Sequence, residues 1–267
     1  MKNLGWMYES GRGVAKDDTQ AVAWYRKAAD NGDAAGMNNL GSMYANGRGV
    51  AQDDAQAVVW YRKAAQSGNR AGMNNLGVSY ANGRGVAKDD TQAVAWYRKA
   101  ADNGNPVAMN NLGSMYSNGR GVAQDDTQAV VWYRKAAESG NPAGMNNLGV
   151  RYANGRGVAK DDTQAVAWYR KAADNGNPVA MDNLGSMYAN GRGVAQDDAQ
   201  AVVWYRKAAE SGNPAGMNNL GVTYANGRGV PKDDTQAAAW YRKAADRGNP
   251  LGMNGLGGMY EIGRAHV

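Results

Sequence analysis

The sequence returns to itself every 36 residues. Met1, Met37, Met73, Met109, Met145, Met181, Met217 and Met253 hold one place in a pattern that runs without insertion or deletion. A fixed period of this size marks an array in which each repeat buries its apolar face against its neighbours, so chain length does not set the number of domains. Residues 1–260 read as one array of about seven repeats, the first and last incomplete, and 261–267 as a separate tail.

The repeat from Asn141 shows what the period encodes. Asn141-Pro142 opens a helix, with Asn suited to the N-cap and Pro to the first helical position. Met145, Leu148, Gly149 and Tyr152 then share one helical face. Glycine inside a helix costs about 1 kcal/mol against Ala. Its return as Gly41, Gly77, Gly113, Gly185 and Gly221 predicts a neighbour too close for a side chain. Asn154-Gly155-Arg156-Gly157-Val158 breaks the helix in a turn. A second helix is expected from Asp161 or Asp162, with Gln164 placed for a capping box and Ala165, Trp168, Tyr169 and Ala172 as its apolar stripe. Asn175-Gly176 then supplies residues that tolerate the left-handed stop. Two short antiparallel helices per repeat, stacked in register, make an all-α solenoid.

A second period lies over the first. Met43, Met115, Met187 and Met259 alternate with Ser79, Arg151 and Thr223, and Gln52, Gln124 and Gln196 alternate with Lys88, Lys160 and Lys232. The duplicated block therefore spans two repeats.

Composition narrows the function. The formal charge of +6 invites a nucleic-acid reading. The repeat from Met109 nevertheless balances Arg120, Arg134 and Lys135 with Asp125, Asp126 and Glu138, and the surplus in the next is spread over Arg151, Arg156, Lys160, Arg170 and Lys171. A mildly basic solvated surface is favoured over a nucleic-acid stripe. With no Cys, and with His266 the only His, the usual nucleophilic arrangements lack their parts, which argues against an enzyme. No cofactor or metal site is read, and no apolar run approaches the roughly 20 residues of a membrane span. Met1 falls inside a repeat helix, and Ile262 to Val267 reads like a translated sequencing adapter, so a fragment with a non-native tail is expected. Localisation stays open; export from a bacterium would need a signal segment upstream.

Four recurring features compete for a role. The Gly-Arg-Gly-Val loops lack the spacing and the preceding strand of a phosphate-binding fingerprint, so they read as structural turns. Their Arg48, Arg84, Arg120, Arg156, Arg192 and Arg228 form a row that could clamp an acidic partner, but bracing of nearby carbonyls or carboxylates is favoured. The Asp pairs, such as Asp53-Asp54 and Asp89-Asp90, sit where capping explains them better than catalysis. Trp96, Trp132 and Trp168 fall beside Ala and Tyr at helical spacing and read as core rather than as stacking platforms. The remaining candidate is the other face of the first helix, where Asn38, Asn74, Asn110, Asn146 and Asn218 recur and Asp182 replaces one. Amides there can bond the backbone of an extended peptide, with the variable Ser79, Arg151 and Thr223 nearby. A solvated polar row accounts for the same pattern equally well.

Leu148-Gly149, Tyr152, Gly155-Arg156-Gly157-Val158, Asp161-Asp162, Ala165, Trp168 to Ala173 and Gly176-Asn177 together resemble the Sel-one-like repeat (SLR) family, related to tetratricopeptide repeats. The resemblance covers nearly the whole chain. It implies a right-handed α/α superhelix whose first helices line the concave face, in adaptor or scaffold proteins that in bacteria are often exported or directed at a host. Some bacterial members staple their repeats with disulfides, which this chain cannot. The expected function is a non-catalytic protein-protein interaction scaffold that holds a peptide or partner domain in the concave groove. The alternative is polyanion or glycan binding through the arginine row. Oligomeric state leaves no signal in the sequence.

Overall fold

The computed structural model describes residues 1–261, among which there are fifteen α-helices and no strand. The chain divides into two compact units, Met1–Ala136 and Ala137–Val267. The first holds α1 (Lys2–Ser10), α2 (Asp18–Asp30), α3 (Ala34–Asn46), α4 (Asp54–Gln66), α5 (Arg70–Asn82), α6 (Asp90–Asp102) and α7 (Pro106–Asn118). Helix α8 (Asp126–Glu138) contains the point of division. The second unit continues with α9 (Pro142–Asn154), α10 (Asp162–Asp174), α11 (Pro178–Asn190), α12 (Asp198–Glu210), α13 (Pro214–Asn226), α14 (Asp234–Asp246) and α15 (Pro250–Glu261). Odd-numbered helices are the first of a repeat and even-numbered ones the second. Apart from Glu261, the last residue of α15, the expected tail with His266 lies outside the described residues.

Local chemistry sets the helix ends. Asn141 accepts a hydrogen bond from the Gly144 amide at 2.7 Å, with Pro142 in the first turn, and Asn105, Asn177 and Asn213 repeat this. Gly155 then ends α9 in the left-handed conformation, at φ 66°. At α10, Asp161 caps the Gln164 amide at 2.9 Å. The expected capping box is one-sided, because the Asp161 amide donates instead to the Tyr152 carbonyl at 2.9 Å. Nor does Asn175 adopt the left-handed stop: its φ is −90°, and the turn falls on Gly176 at φ 79°.

Packing explains the helical glycines. A Cβ on Gly77 would lie 2.7 Å from the Tyr97 ring, and one on Gly185 would lie 2.7 Å from that of Tyr205. The expected close neighbour is therefore the tyrosine of the second helix of the same repeat. Leu76 and Leu112 in the first unit, and Leu148, Leu184 and Leu220 in the second, are fully buried beside this contact. The second helix buries more than its predicted stripe, adding Val166 and Ala173 to Ala165, Tyr169 and Ala172. Trp168 is half-buried, whereas Trp60, Trp132 and Trp204 are buried, so aromatic burial follows the two-repeat period.

Candidate partner-binding surface

The two aspartates of each pair divide their work. In the first unit Asp89 caps α6, while Asp90 receives Arg120 of the following loop at 2.6 Å. In the second, Asp161 caps α10 and Asp162 receives Arg192 at 2.6 Å. The guanidinium also donates to a carbonyl one repeat back, Ala81 for Arg120 and Ala153 for Arg192, both at 3.0 Å. These bonds hold the Asp90 and Asp162 carboxyls below their ordinary pKa. The glycine after the arginine completes the dock. A Cβ on Gly49 would fall 2.1 Å from the Asp18 carbonyl oxygen, and one on Gly193 2.2 Å from that of Asp162. The loop is thus a brace between consecutive repeats, as the sequence favoured. Because each of these arginines is neutralised by its own aspartate, the row carries little net charge for a polyanion.

The asparagine row is built into the stack. Asn74, Asn146 and Asn218 are buried, and Asn38, Asn110 and Asp182 are half-buried. In the first unit Asn75 donates to Asn38 at 3.0 Å and Asn111 donates to Asn74 at 3.1 Å. Asn74 in turn donates to Asn75 at 3.3 Å and Asn38 to Asn39 at 3.4 Å, so the amides form a ladder across α7, α5 and α3. In the second unit Asn183 donates to Asn146 at 2.9 Å and Asn219 to Asp182 at 2.8 Å. Asp182 accepts like its asparagine counterparts, but when ionised it has no proton to pass on. Burial pushes its carboxyl pKa up, against the bond from Asn219.

The variable positions lie deeper than a surface reading places them. Ser79, Arg151 and Thr223 are all buried. Ser79 bonds the Asn75 carbonyl at 3.0 Å and Thr223 that of Leu220 at 2.7 Å. Sequence reasoning passed over the second asparagine of each doublet, the donor of the ladder; its signal was that both positions recur. The tryptophans of the second helices, read as core, each carry a lysine over one ring face, as with Lys99 over Trp96 at 4.4 Å and Lys171 over Trp168 at 4.5 Å. Among the described residues, no group of His, Cys, Asp and Glu side chains converges as a metal site would, and no helix is long and apolar enough to cross a membrane.

Helix pairs stacked at a fixed period, docked by loops that reach one repeat back, define an α-helical repeat protein of the solenoid class. The Sel1 repeat matches residues 1–33, 34–69, 70–105, 106–141, 142–177, 178–213 and 214–249, and the chain belongs to that family. It is similar to a protective antigen of uropathogenic Escherichia coli with an SLR fold, at 41% identity and a TM-score of 0.76, over 98% of this chain and 56% of that one. The chain thus spans little more than half the length of that relative. A Sel1 repeat protein of Oxalobacter formigenes is 36% identical, with a TM-score of 0.78, over 97% and 75% of the two chains. Likeness in fold alone extends to the APC/C hetero-tetramer Cut9–Hcn1, at 14% identity and a TM-score of 0.61, over 95% of this chain and 47% of that one. No functionally curated protein matches the chain in sequence. Sel1 repeat proteins are generally protein-interaction scaffolds rather than catalysts.

Proposed function

We propose that this chain is a non-catalytic scaffold that holds an extended segment or a partner domain of another protein along the face of its first helices. Asn38, Asn74, Asn110, Asn146, Asp182 and Asn218 mark that face, with Ser79, Arg151 and Thr223 beneath it. The observation that supports the reading is the amide ladder itself. Within each unit it ties a polar side chain of one first helix to that of the next, and Asn38 keeps part of its surface in solvent while its oxygen is held by Asn75. An amide carries two N–H donors, and the long bond to Asn39 engages one of them. A preorganised donor on this face suits a carbonyl of an extended backbone.

Site-specific photocrosslinking tests this. A probe at Asn38 on α3 should yield protein adducts that a probe at the exposed Gln56 on α4 does not. Equal labelling at both positions, or none at either, would sink the assignment of the face.

A further inference from the structure

The loop arginines are served unequally. Arg84, Arg120 and Arg228 bond their aspartates through Nε and Nη2, and Nη2 also reaches the carbonyl of Ala45, Ala81 or Ala189. Arg48 does something more. Its Nη1 donates to Glu9 Oε1 at 2.8 Å, and Glu9 Oε2 accepts from the Tyr25 hydroxyl at 2.5 Å. Glu9 holds the repeat position of Ala45, Ala81 and Ala189, Tyr25 that of Tyr61, Tyr97 and Tyr205, and Arg48 that of Arg84, Arg120 and Arg228. The first repeat thus supplies its own carboxylate to a site whose counterparts carry alanine.

Those counterparts are hollows. In the first unit Ala45, Tyr61, Asn75, Ser79 and Arg84 border one of about 70 Å³, and Ala81, Tyr97, Asn111, Met115 and Arg120 an opener one of about 240 Å³. In the second unit Ala189, Tyr205, Asn219, Thr223 and Arg228 border one of about 60 Å³. Tyr97 adds an independent observation. It is only 4% exposed and lines its hollow beside Arg120, and its hydroxyl makes no hydrogen bond to another described residue. Burial pushes its pKa up to about 12, so at neutral pH it keeps its proton and can donate to an acceptor that enters the hollow. Tyr61 and Tyr205 have hydroxyl partners at 3.4 and 3.2 Å, far longer than the bond Tyr25 makes to Glu9.

We infer that these hollows are sockets for a carboxylate, and that the partner lying along the first helices presents acidic side chains to them. The inference rests on the scaffold reading above. Asp54 and Asp198 line the two smaller hollows, yet Arg48 shows that one guanidinium serves two carboxylates, Asp18 at 2.8 Å and Glu9 at 2.8 Å, when a tyrosine hydroxyl shares the second. The smaller hollows have room for about five water-sized groups, which fits a carboxylate and its adjoining methylene but not a phosphorylated or aromatic side chain.

Two measurements on the full chain test it. The first copies the arrangement at Glu9 into other repeats: Ala45→Glu, Ala81→Glu and Ala189→Glu are compared with glutamine at the same positions by thermal unfolding. Each glutamate variant should melt above its glutamine counterpart, with a gap that narrows as salt is added. Equal melting overturns the sockets. The second measures anisotropy of a labelled peptide of alternating Glu and Gly against its Gln analogue. The Glu peptide should bind at least about tenfold more tightly, as expected for a charge-assisted pair. The combined A45E/A81E/A189E variant should lose that advantage, and free glutamate at the peptide's concentration should not displace it. Displacement by free glutamate, or undiminished binding to the triple variant, overturns the acidic partner. If the glutamate variants are stabilised but no peptide binds, the carboxylate chemistry stands and the scaffold reading is what fails.

Discussion

The two helices of a repeat match in length, 13 residues in both α5 and α6, and both open on an Asn or Asp cap, yet they bury different chemistry. Among the described residues every buried polar side chain, from Asn74 and Ser79 to Asn218 and Thr223, belongs to a first helix or its cap. The second helices bury Ala, Val, Tyr and part of the Trp set, and turn residues such as Arg98 and Lys99 outward. A first helix meets its second helix on one side and other first helices on another, so polar groups caught there have to satisfy one another. A second helix keeps one face in water. The first should therefore resist substitution where the second tolerates it.

The sharpest break would come at the glycine contact. Gly77→Val drives a branched side chain into the Tyr97 ring and should cost about 3 kcal/mol in urea unfolding. A loss below about 1 kcal/mol would show that the helices separate easily. Arg192→Ala removes the bonds to Asp162 and the Ala153 carbonyl; with the side chain 42% exposed, a loss of about 1.5 kcal/mol is expected at pH 7. Because the Asp162 pKa is lowered in the folded state, that contribution is present at neutral pH and disappears as pH falls through the depressed value. The penalty of the variant should fade in acid, which a pH series of melting temperatures would show.

Asp182→Asn should act in the opposite direction. The Asp182 pKa is raised on folding, so its ionised form opposes the native state at neutral pH, and that opposition is relieved as pH falls. Asparagine also restores a donor to the ladder, and a gain of about 1 kcal/mol at pH 7 that shrinks in acid is expected. A gain independent of pH would mean that the carboxylate is not the cause. On the exposed side of a second helix, Ala95→Val reproduces what Val59, Val131 and Val203 already are, and should change stability by no more than about 0.5 kcal/mol.

Much of the helix architecture is legible in the residues, because caps and turns are local. Asn141-Pro142, Asp161 and Gly155 each act on backbone within a few positions, so the helix ends fall where the residue types place them. What lies across repeats is not legible. Arg120 looks equally able to meet any carboxylate in reach, and only packing pairs it with Asp90 while Asp89 is spent on the cap. The same limit hid the ladder: Asn111 and Asn74 meet because neighbouring first helices come close with a one-position offset, which periodicity alone does not reveal. Glu9 was the hardest to see. In sequence it is a polar deviation where the inner repeats carry Ala or Ser and the last carries Glu261, and its meaning appears only once Arg48 and Tyr25 are found on either side of it.

The loop brace has a further consequence. Arg84 reaches back to Asp54 and Arg228 to Asp198, each across a single joint. Excising or copying a block of two repeats within an array would therefore rejoin each arginine to an equivalent aspartate and each glycine to an equivalent carbonyl. For an evolving gene, such a block is a unit of unequal recombination. A lineage built this way can change its length in whole steps while every junction keeps the same bonds.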